Sequence, residues 1–314
     1  MNEKILIFGN GQIGNFYLNY FKGKSVPASI AQGDITKSED VEKAIGAFQP
    51  TVVINTAAAT NLEWCENNQL EAFNSNVLGA KIIAQVCDAK NIYFIHFSSG
   101  CIFESKDEND LKSETDLPAP AVFYSWTKVW SEQMVTYRKS PNFRYLILRP
   151  RQPVSSQISP KNMMIKFLTF TKYVDTPNTG TVIEDLMDWT YGLIKIKPVG
   201  VLHVANEGWT TPYEMALMLK KHVLPSLEVG KILKTDLDKI TPNKRVDTVL
   251  NVEKLKGLGL AVRPYKDRVE EIIIDLGKNI RSADKNLLKQ ILEETAETSR
   301  QRTEVNEHWK DLLK

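Results

Sequence analysis

The chain has 314 residues, of which 42% are hydrophobic and 25% charged, and its formal net charge is +2. This is an ordinary soluble globular balance, with core enough for one large or two modest domains, and the near-neutral charge implies no nucleic-acid or other polyanion partner. No apolar run approaches the roughly 20 residues of a membrane helix, and the opening MNEKILIFGNGQIG lacks the long apolar stretch and small-residue cleavage site of a signal peptide. The three cysteines, Cys65, Cys87 and Cys101, are odd in number and fit no metal spacing, so they read as reduced thiols in a cytoplasmic protein. The four histidines are scattered, and no metal site is expected.

In chain order, KILIF reads as a strand, QIGNFYLNYF as a helix and ASIAQ as a short second strand. SEDVEKAIGAF is a helix opened by a serine cap and acids in its first turn. TVVIN is a strand, LEAFNSNVLGAKIIAQVCDAK one long helix and IYFIHF another strand. FYSWTKVWSEQMVTYR is a helix and RYLILR a strand. Continuous apolar strands alternating with helices predict an α/β fold, a doubly wound parallel sheet of the Rossmann type, over residues 1–150. Beyond Pro150, prolines at 153, 160, 177 and 198 punctuate shorter elements. GVLHVA is one more strand, and TPYEMALMLKKHV a helix with Pro212 near its start. Residues 151–281 are expected to form a smaller α/β substrate-binding lobe that can return strands to the main sheet. Residues 282–314 are charged with a thin apolar stripe, read as a solvated terminal helix, with an interaction helix as the alternative.

ILIFGNGQIGNF matches G-x-G-x-x-G through Gly9, Gly11 and Gly14, after a strand and at a helix start, which is the context a dinucleotide site requires. Gly9 would make the tight turn, Gly11 would let backbone N–H groups reach the pyrophosphate, and Gly14 would let helix and strand pack closely. Gln12 and Ile13 would present the helix N-terminus to the phosphates. No acid ends the second strand. Asp34 follows in QGDIT, where it can cap or meet the adenine beside Ile35. Without an acid on the ribose 2′-hydroxyl a 2′-phosphate is less disfavoured, so NADPH is expected ahead of NADH, with Lys24 able to assist. Ala57 and Ala58, after TVVIN, and Asn76 complete the expected cofactor contacts.

YSWTK sets Tyr124 and Lys128 four apart on one helix face. An ammonium near a phenol lowers its pKa from about 10 and readies it to donate a proton to a carbonyl oxygen. Lys128 would also hold the nicotinamide ribose, and Ser99, ending the preceding strand, would donate to the same oxygen. The glycine loop, Ser99 and this pair resemble the extended short-chain dehydrogenase/reductase family, as does NVLG at Asn76–Gly79. Further stretches resemble the dTDP-4-dehydrorhamnose reductases, and closer still the plant-type UDP-4-keto-6-deoxyglucose 3,5-epimerase/4-reductases. These are VINTAAAT, EWCE, NVLGAK, SSGCIFE, FYSWTK, LRPRQPVSS, SPKNMMIK and VDTPNTGTVIEDL, with weaker similarity in GVLHVANEG and NKRVDTVLNVEKL. Two departures stand out. Asn10 occupies a position that is often basic in the family, and the loop between AAAT and NLEWCE is shorter than in the plant enzymes.

The resemblance implies a nucleotide-linked 4-keto-6-deoxyhexose as substrate, carried on UDP or dTDP. Such a ketone acidifies the protons at C3 and C5, and inverting those centres needs an acid and a base. A thiol, with a pKa near 8.5, can serve as both. The resemblance pairs Cys101 with Lys166 from the substrate lobe and makes Asn162, in PKN, a nucleotide-sugar contact. Read from the local sequence alone, Cys101 is a small buried hydrophobe and Lys166 a solvated helix residue. Arg149 and Arg151, flanking Pro150, suit either phosphate contacts or a structural ion pair. Cys65 and Cys87 read as core. Three functions compete: a coupled 3,5-epimerase/4-reductase giving a rhamnose-type sugar, a 4-reductase only, and a non-catalytic NADP-binding regulatory subunit like that of methionine adenosyltransferase. A homodimer is compatible with all three.

Overall fold

The computed structural model describes residues 3–137, 139–241, 243–300 and 304–314. Arg138, at the end of the helix expected from FYSWTKVWSEQMVTYR, lies outside the described residues, as do residues 301–303 of the tail. Six parallel strands form the central sheet: β1 (Ile5–Phe8), β2 (Ala28–Ile30), β3 (Val52–Asn55), β4 (Tyr93–Phe97), β5 (Tyr145–Arg149) and β6 (Gly200–His203). Their spatial order is β2-β1-β3-β4-β5-β6. Every residue of β1, β3 and β4 is buried, as strands covered on both faces require. Ile5, Ile7, Ile54 and Ile95 meet Tyr17 and Phe21 of helix α1 (Gln12–Gly23) on one face. Leu6, Val53 and Phe94 meet Val41 and Ile45 of α2 (Ser38–Phe48) on the other.

The chain runs from β1 out to β2 and returns on the other side of β1 as β3. The switch point therefore lies between the carboxyl ends of β1 and β3, where α/β sheets bind ligands. Helices α3 (Leu62–Asn67) and α4 (Gln69–Phe73) follow β3. The expected long helix is interrupted: α4 and α5 (Gly79–Ala89) are joined by a π-turn over Asn74–Leu78. Such insertions recur at functional sites, and this one carries Asn76. Helix α6 (Phe123–Thr136) crosses the same face as α5 and ends with Tyr137 extended.

In the second half, β6 returns to the sheet beside β5, and α8 (Ile183–Ile196) packs under it with α1. A separate core gathers α7 (Met163–Phe167), α9 (Pro212–His222), α12 (Tyr265–Ser282) and α13 (Lys285–Arg300). Two further short helices, α10 (Lys234–Ile240) and α11 (Glu253–Gly257), complete this half. A short parallel pairing of 249–250 with 111–112 ties it to the loop after β4. The tail is not a solvated helix. Leu288, Leu292 and Ala296, four apart, are buried on one face of α13, and Trp309 closes over the same core. Polar pairs extend that thin stripe: Thr169 and Ser299 hydroxyls meet at 2.9 Å, and Ser226 Oγ donates to Asp311 at 2.7 Å.

Candidate active site

The glycine loop lies at the switch point. Gly9 has φ +110°, a conformation L side chains rarely adopt, and a Cβ there would sit 2.6 Å from the Ala57 nitrogen. Gly9 therefore lets the β1–α1 turn press against the loop after β3. A Cβ on Gly14 would sit 1.9 Å from the Gly9 carbonyl oxygen, so α1 starts hard against β1. Gly11 differs: a Cβ there would meet no protein atom within 4 Å. The loop is open on that side, and α1 has no side-chain cap on its first turn. An open glycine beside uncapped helix N–H groups fits a pyrophosphate.

Gln12 and Ile13 open α1, half-buried, with Ile13 packed on the sheet. Ile35 lies over Gly79, where a Cβ would come within 2.6 Å of its Cδ1. Asp34 is exposed and accepts from Thr36 N at 2.9 Å and Thr36 Oγ1 at 2.7 Å, a local turn whose backbone and hydroxyl donors hold its carboxyl below the usual range. Lys24 does not reach this end. It is the C-cap of α1, a whole helix away from the loop, with its ammonium 5.4 Å from the Tyr20 ring centre. Ala57 N donates to Asn55 Oδ1 at 3.1 Å, and Asn76 clasps Ala59 through both amide atoms, at 2.7 and 2.9 Å. Asn76 also donates to Thr127 Oγ1 at 3.0 Å, and that hydroxyl donates to the Tyr124 carbonyl at 2.7 Å.

A second polar chain reaches the helix from β3. Asn55 Nδ2 lies 3.2 Å from His96 Nδ1, and His96 Nε2 lies 3.0 Å from Ser131 Oγ, which donates to the Lys128 carbonyl at 2.8 Å. Burial, then the Lys128 charge, holds His96 well below its usual pKa, so the ring is neutral. Because Ser131 spends its proton on Lys128, the consistent tautomer carries hydrogen on Nε2 and accepts at Nδ1.

Ser99, Cys101 and Tyr124 line one cavity of about 270 Å³, with Ser125, Arg151 and Arg245 among its other walls. Ser99 caps the short turn Gly100–Ile102: its Oγ accepts from Cys101 N at 3.2 Å and donates to Cys101 Sγ at 3.0 Å. Ser125 Oγ donates to the same sulfur at 3.6 Å. Lys128 is 3% exposed, and its ammonium donates to the Phe97 carbonyl at 3.0 Å. Burial lowers its pKa to about 8. The expected lowering of Tyr124 by Lys128 is not what the structure has. Burial, then the Cys101 charge, raises the phenol above its ordinary value, and only a Ser99 hydrogen bond and the Arg151 charge draw it back. The ammonium sits 5.8 Å from the Tyr124 ring centre, over the ring and turned to Phe97. Tyr124 thus holds its proton and is an acid rather than a phenolate.

Lys166 is half-buried on α7 and is not among the residues lining the cavity around Cys101; its backbone N–H donates to Asn162 O at 3.2 Å. Asn162 is 2% exposed and caps α7. Its Nδ2 donates to the Ser155 and Gln157 carbonyls at 2.8 and 2.7 Å, and its Oδ1 accepts from Met164 N at 3.1 Å. These bonds hold a turn together and use the amide nitrogen and oxygen of Asn162 within the protein. Arg149 takes the structural reading, in a buried two-pronged pair with Glu132 at 2.8 and 2.6 Å. Arg151, passed over from sequence, is 7% exposed at the cavity wall, donating to Asn178 Oδ1 at 2.7 Å and the Val246 carbonyl at 2.5 Å while its Nε has no partner. Its place between a strand end and Pro153 was the available signal. Cys87 is core, its thiol pushed up by burial. Cys65 is buried with its Sγ 3.5 Å from the Ala59 carbonyl.

A family model described as the RmlD substrate binding domain matches residues 3–277. A bifunctional dTDP-4-dehydrorhamnose 3,5-epimerase/dTDP-4-dehydrorhamnose reductase of Arabidopsis thaliana is 27% identical over 262 residues, covering 80% of this chain and 86% of that protein. A trifunctional UDP-glucose 4,6-dehydratase/UDP-4-keto-6-deoxy-D-glucose 3,5-epimerase/UDP-4-keto-L-rhamnose-reductase of the same plant is 27% identical over 264 residues, and the match spans only 39% of its length. Among solved structures, the L780 UDP-rhamnose synthase of Acanthamoeba polyphaga mimivirus superposes with a TM-score of 0.81 at 22% identity, covering 88% of this chain and all of that one.

Proposed function

We propose that this chain, which belongs to the RmlD substrate binding domain family, reduces a nucleotide-linked 4-keto-6-deoxyhexose at C4 with NADPH and exchanges the C3 and C5 protons before reduction. The observation that carries the reading is the shared cavity of Ser99, Cys101 and Tyr124, with the Lys128 ammonium 5.8 Å from the Tyr124 ring centre and the open glycine loop at the switch point. NADPH, when bound, supplies the hydride. Gly9, Gly11, Gln12, Ile13 and Gly14 would hold its pyrophosphate, with Asp34, Ile35, Ala57 and Ala58 around the adenosine side, and Asn76 would act by fixing the loop after β3 through its bonds to Ala59. Tyr124 gives its proton to the developing alkoxide, Ser99 donates to the same oxygen, and Lys128 holds the nicotinamide ribose and stabilises the phenolate that remains.

In the exchange half, Ser99 and Tyr124 stabilise the enolate while the Cys101 thiolate removes a proton, and Lys166 serves as the second group. The relatives' substrates are the models for this one, carried on UDP or dTDP. A second reading, reduction without epimerisation, is favoured by the position of Lys166 outside the cavity lining. Single-turnover proton NMR in deuterium oxide separates the two, using UDP-4-keto-6-deoxyglucose, its dTDP counterpart and NADPH. Deuterium at C3 and C5 of a reduced product, lost in Cys101→Ser while reduction persists, supports coupled exchange. Reduction with no deuterium leaves a 4-reductase, and Lys166→Ala tests the second group in the same way.

A further inference from the structure

Helix α6 carries Tyr124 and Lys128, yet nothing local caps it. Its N-cap is Val122, which offers no side-chain acceptor, and its first turn contains no acid. The missing acceptor comes from elsewhere in the chain: Glu66 Oε1 accepts the Phe123 backbone N–H at 2.7 Å. A carboxylate at this end of a helix meets free N–H groups and the positive end of the dipole, and a charge-assisted bond is stronger than a neutral one. Glu66 is itself well placed. It belongs to α3, which is capped by Asn61 (Oδ1 accepting from Trp64 N at 2.9 Å) and held to the loop after β3 by the Cys65 thiol. One turn earlier on α3, Glu63 reaches the other way and pairs with Arg245 of the substrate lobe at 2.7 Å. The short EWCE helix thus links the catalytic helix to the opposite wall of the cavity.

We propose that Glu66 is a positioning residue for Tyr124, fixing the first turn of α6 so that the phenol is presented to the substrate carbonyl. The proposal rests on the reading of Tyr124 as the proton donor. Thr127 and Lys128 are pegged separately by Asn76, Ser131 and Phe97. Loss of Glu66 therefore loosens the helix start ahead of the Thr127 bond to the Tyr124 carbonyl, and leaves Lys128 in place. Glu63 affects the lobe wall instead, so its removal should raise KM for the sugar nucleotide, whereas removal of Glu66 should lower kcat.

Three variants of the full chain test this: Glu66→Ala, Glu66→Gln and Phe123→Pro. Proline suits a first helical position and removes the N–H donor, and Val122 is already extended as a residue before proline must be. Reduction of UDP-4-keto-6-deoxyglucose is measured alongside amide hydrogen exchange over 122–128. Glu66→Ala should lower kcat about tenfold or more with KM for NADPH changed less than about twofold. Glu66→Gln keeps an acceptor oxygen and should recover most of kcat. Phe123→Pro, which also takes the Phe123 ring off Trp130, should lose at least as much as alanine, and adding Glu66→Ala to it should cost little more. The proposal is overturned by a near-normal kcat in Glu66→Ala, by activity lost only in step with folded protein, or by a glutamine variant as damaged as alanine. If the wild type reduces no 4-keto sugar nucleotide, the functional reading fails, and hydrogen exchange alone decides the anchoring. Faster exchange at the α6 start in alanine but not in glutamine upholds it, and unchanged exchange overturns it.

Discussion

Replacing Lys128 by methionine should stabilise the cofactor-free protein at neutral pH, by an amount that disappears in alkali. The ammonium is 3% exposed and burial brings its pKa to about 8, against an ordinary lysine value near 10.4. At about 1.4 kcal/mol per tenfold, keeping the charged form inside costs about 3 kcal/mol. Below about pH 8 both the folded and the unfolded lysine are protonated, and the whole penalty is present. Between about pH 8 and 10.4 the unfolded chain binds more protons than the folded one, so wild-type stability rises with pH until the penalty is gone. Methionine removes the penalty at every pH but also removes the bond to the Phe97 carbonyl, worth about 1–2 kcal/mol. The net gain is then about 1–2 kcal/mol near pH 7, falling to a small loss by about pH 10.5. Urea titrations of both proteins at several pH values, followed by tryptophan fluorescence, measure the difference while other titrating groups cancel. Wild-type and mutant curves that stay parallel with pH would refute the burial argument. The same variant should lose about a hundredfold or more in reduction, because the phenolate left on Tyr124 then has no cation beneath it.

Gly14→Ala should weaken NADPH binding by about tenfold or more, read by calorimetry, since the new Cβ would lie 1.9 Å from the Gly9 carbonyl oxygen and displace the loop. Gly23→Ala, whose Cβ meets nothing within 4 Å, should bind NADPH as the wild type does. Arg149→Met strands Glu132, which is 9% exposed, and should cost about 3–5 kcal/mol in urea denaturation. Trp309→Ala should cost about 3–5 kcal/mol by the same assay and leave kcat per folded molecule unchanged, because Trp309 is buried in the lobe core away from the cavity.

The parts of the site legible in the sequence are those whose geometry is local. Gly9 and Gly14 are fixed by a turn six residues long, and Tyr124 and Lys128 share a face because a helix turns every 3.6 residues. The inner strands β1, β3 and β4 are likewise visible as apolar runs, since a strand buried on both faces leaves little room for polar residues, whereas the half-buried edge strand β2 is legible only as the short stretch ASIAQ. What escaped depends on partners distant in sequence. The π-turn in the expected long helix contains Asn76, whose amide is committed to Ala59 and Thr127. The tail reads as a solvated helix because its apolar stripe is thin, yet its polar Ser299 and Asp311 are paired inward to Thr169 and Ser226. Motif likeness makes Asn162 a nucleotide-sugar contact, while an asparagine before a short helix is an equally good cap, and here its donors and acceptor form that cap. Even the readable Tyr–Lys pair gave the wrong sign for the phenol, because spacing fixes the shared face but not whether the ammonium meets the hydroxyl or the ring. The cap on α6 is the extreme case. Its donor and acceptor are 57 residues apart, and the only local trace is a valine where a capping side chain would be expected. A helix that carries reactive groups but lacks its own cap is therefore a place to look for a positioning residue supplied by a distant segment.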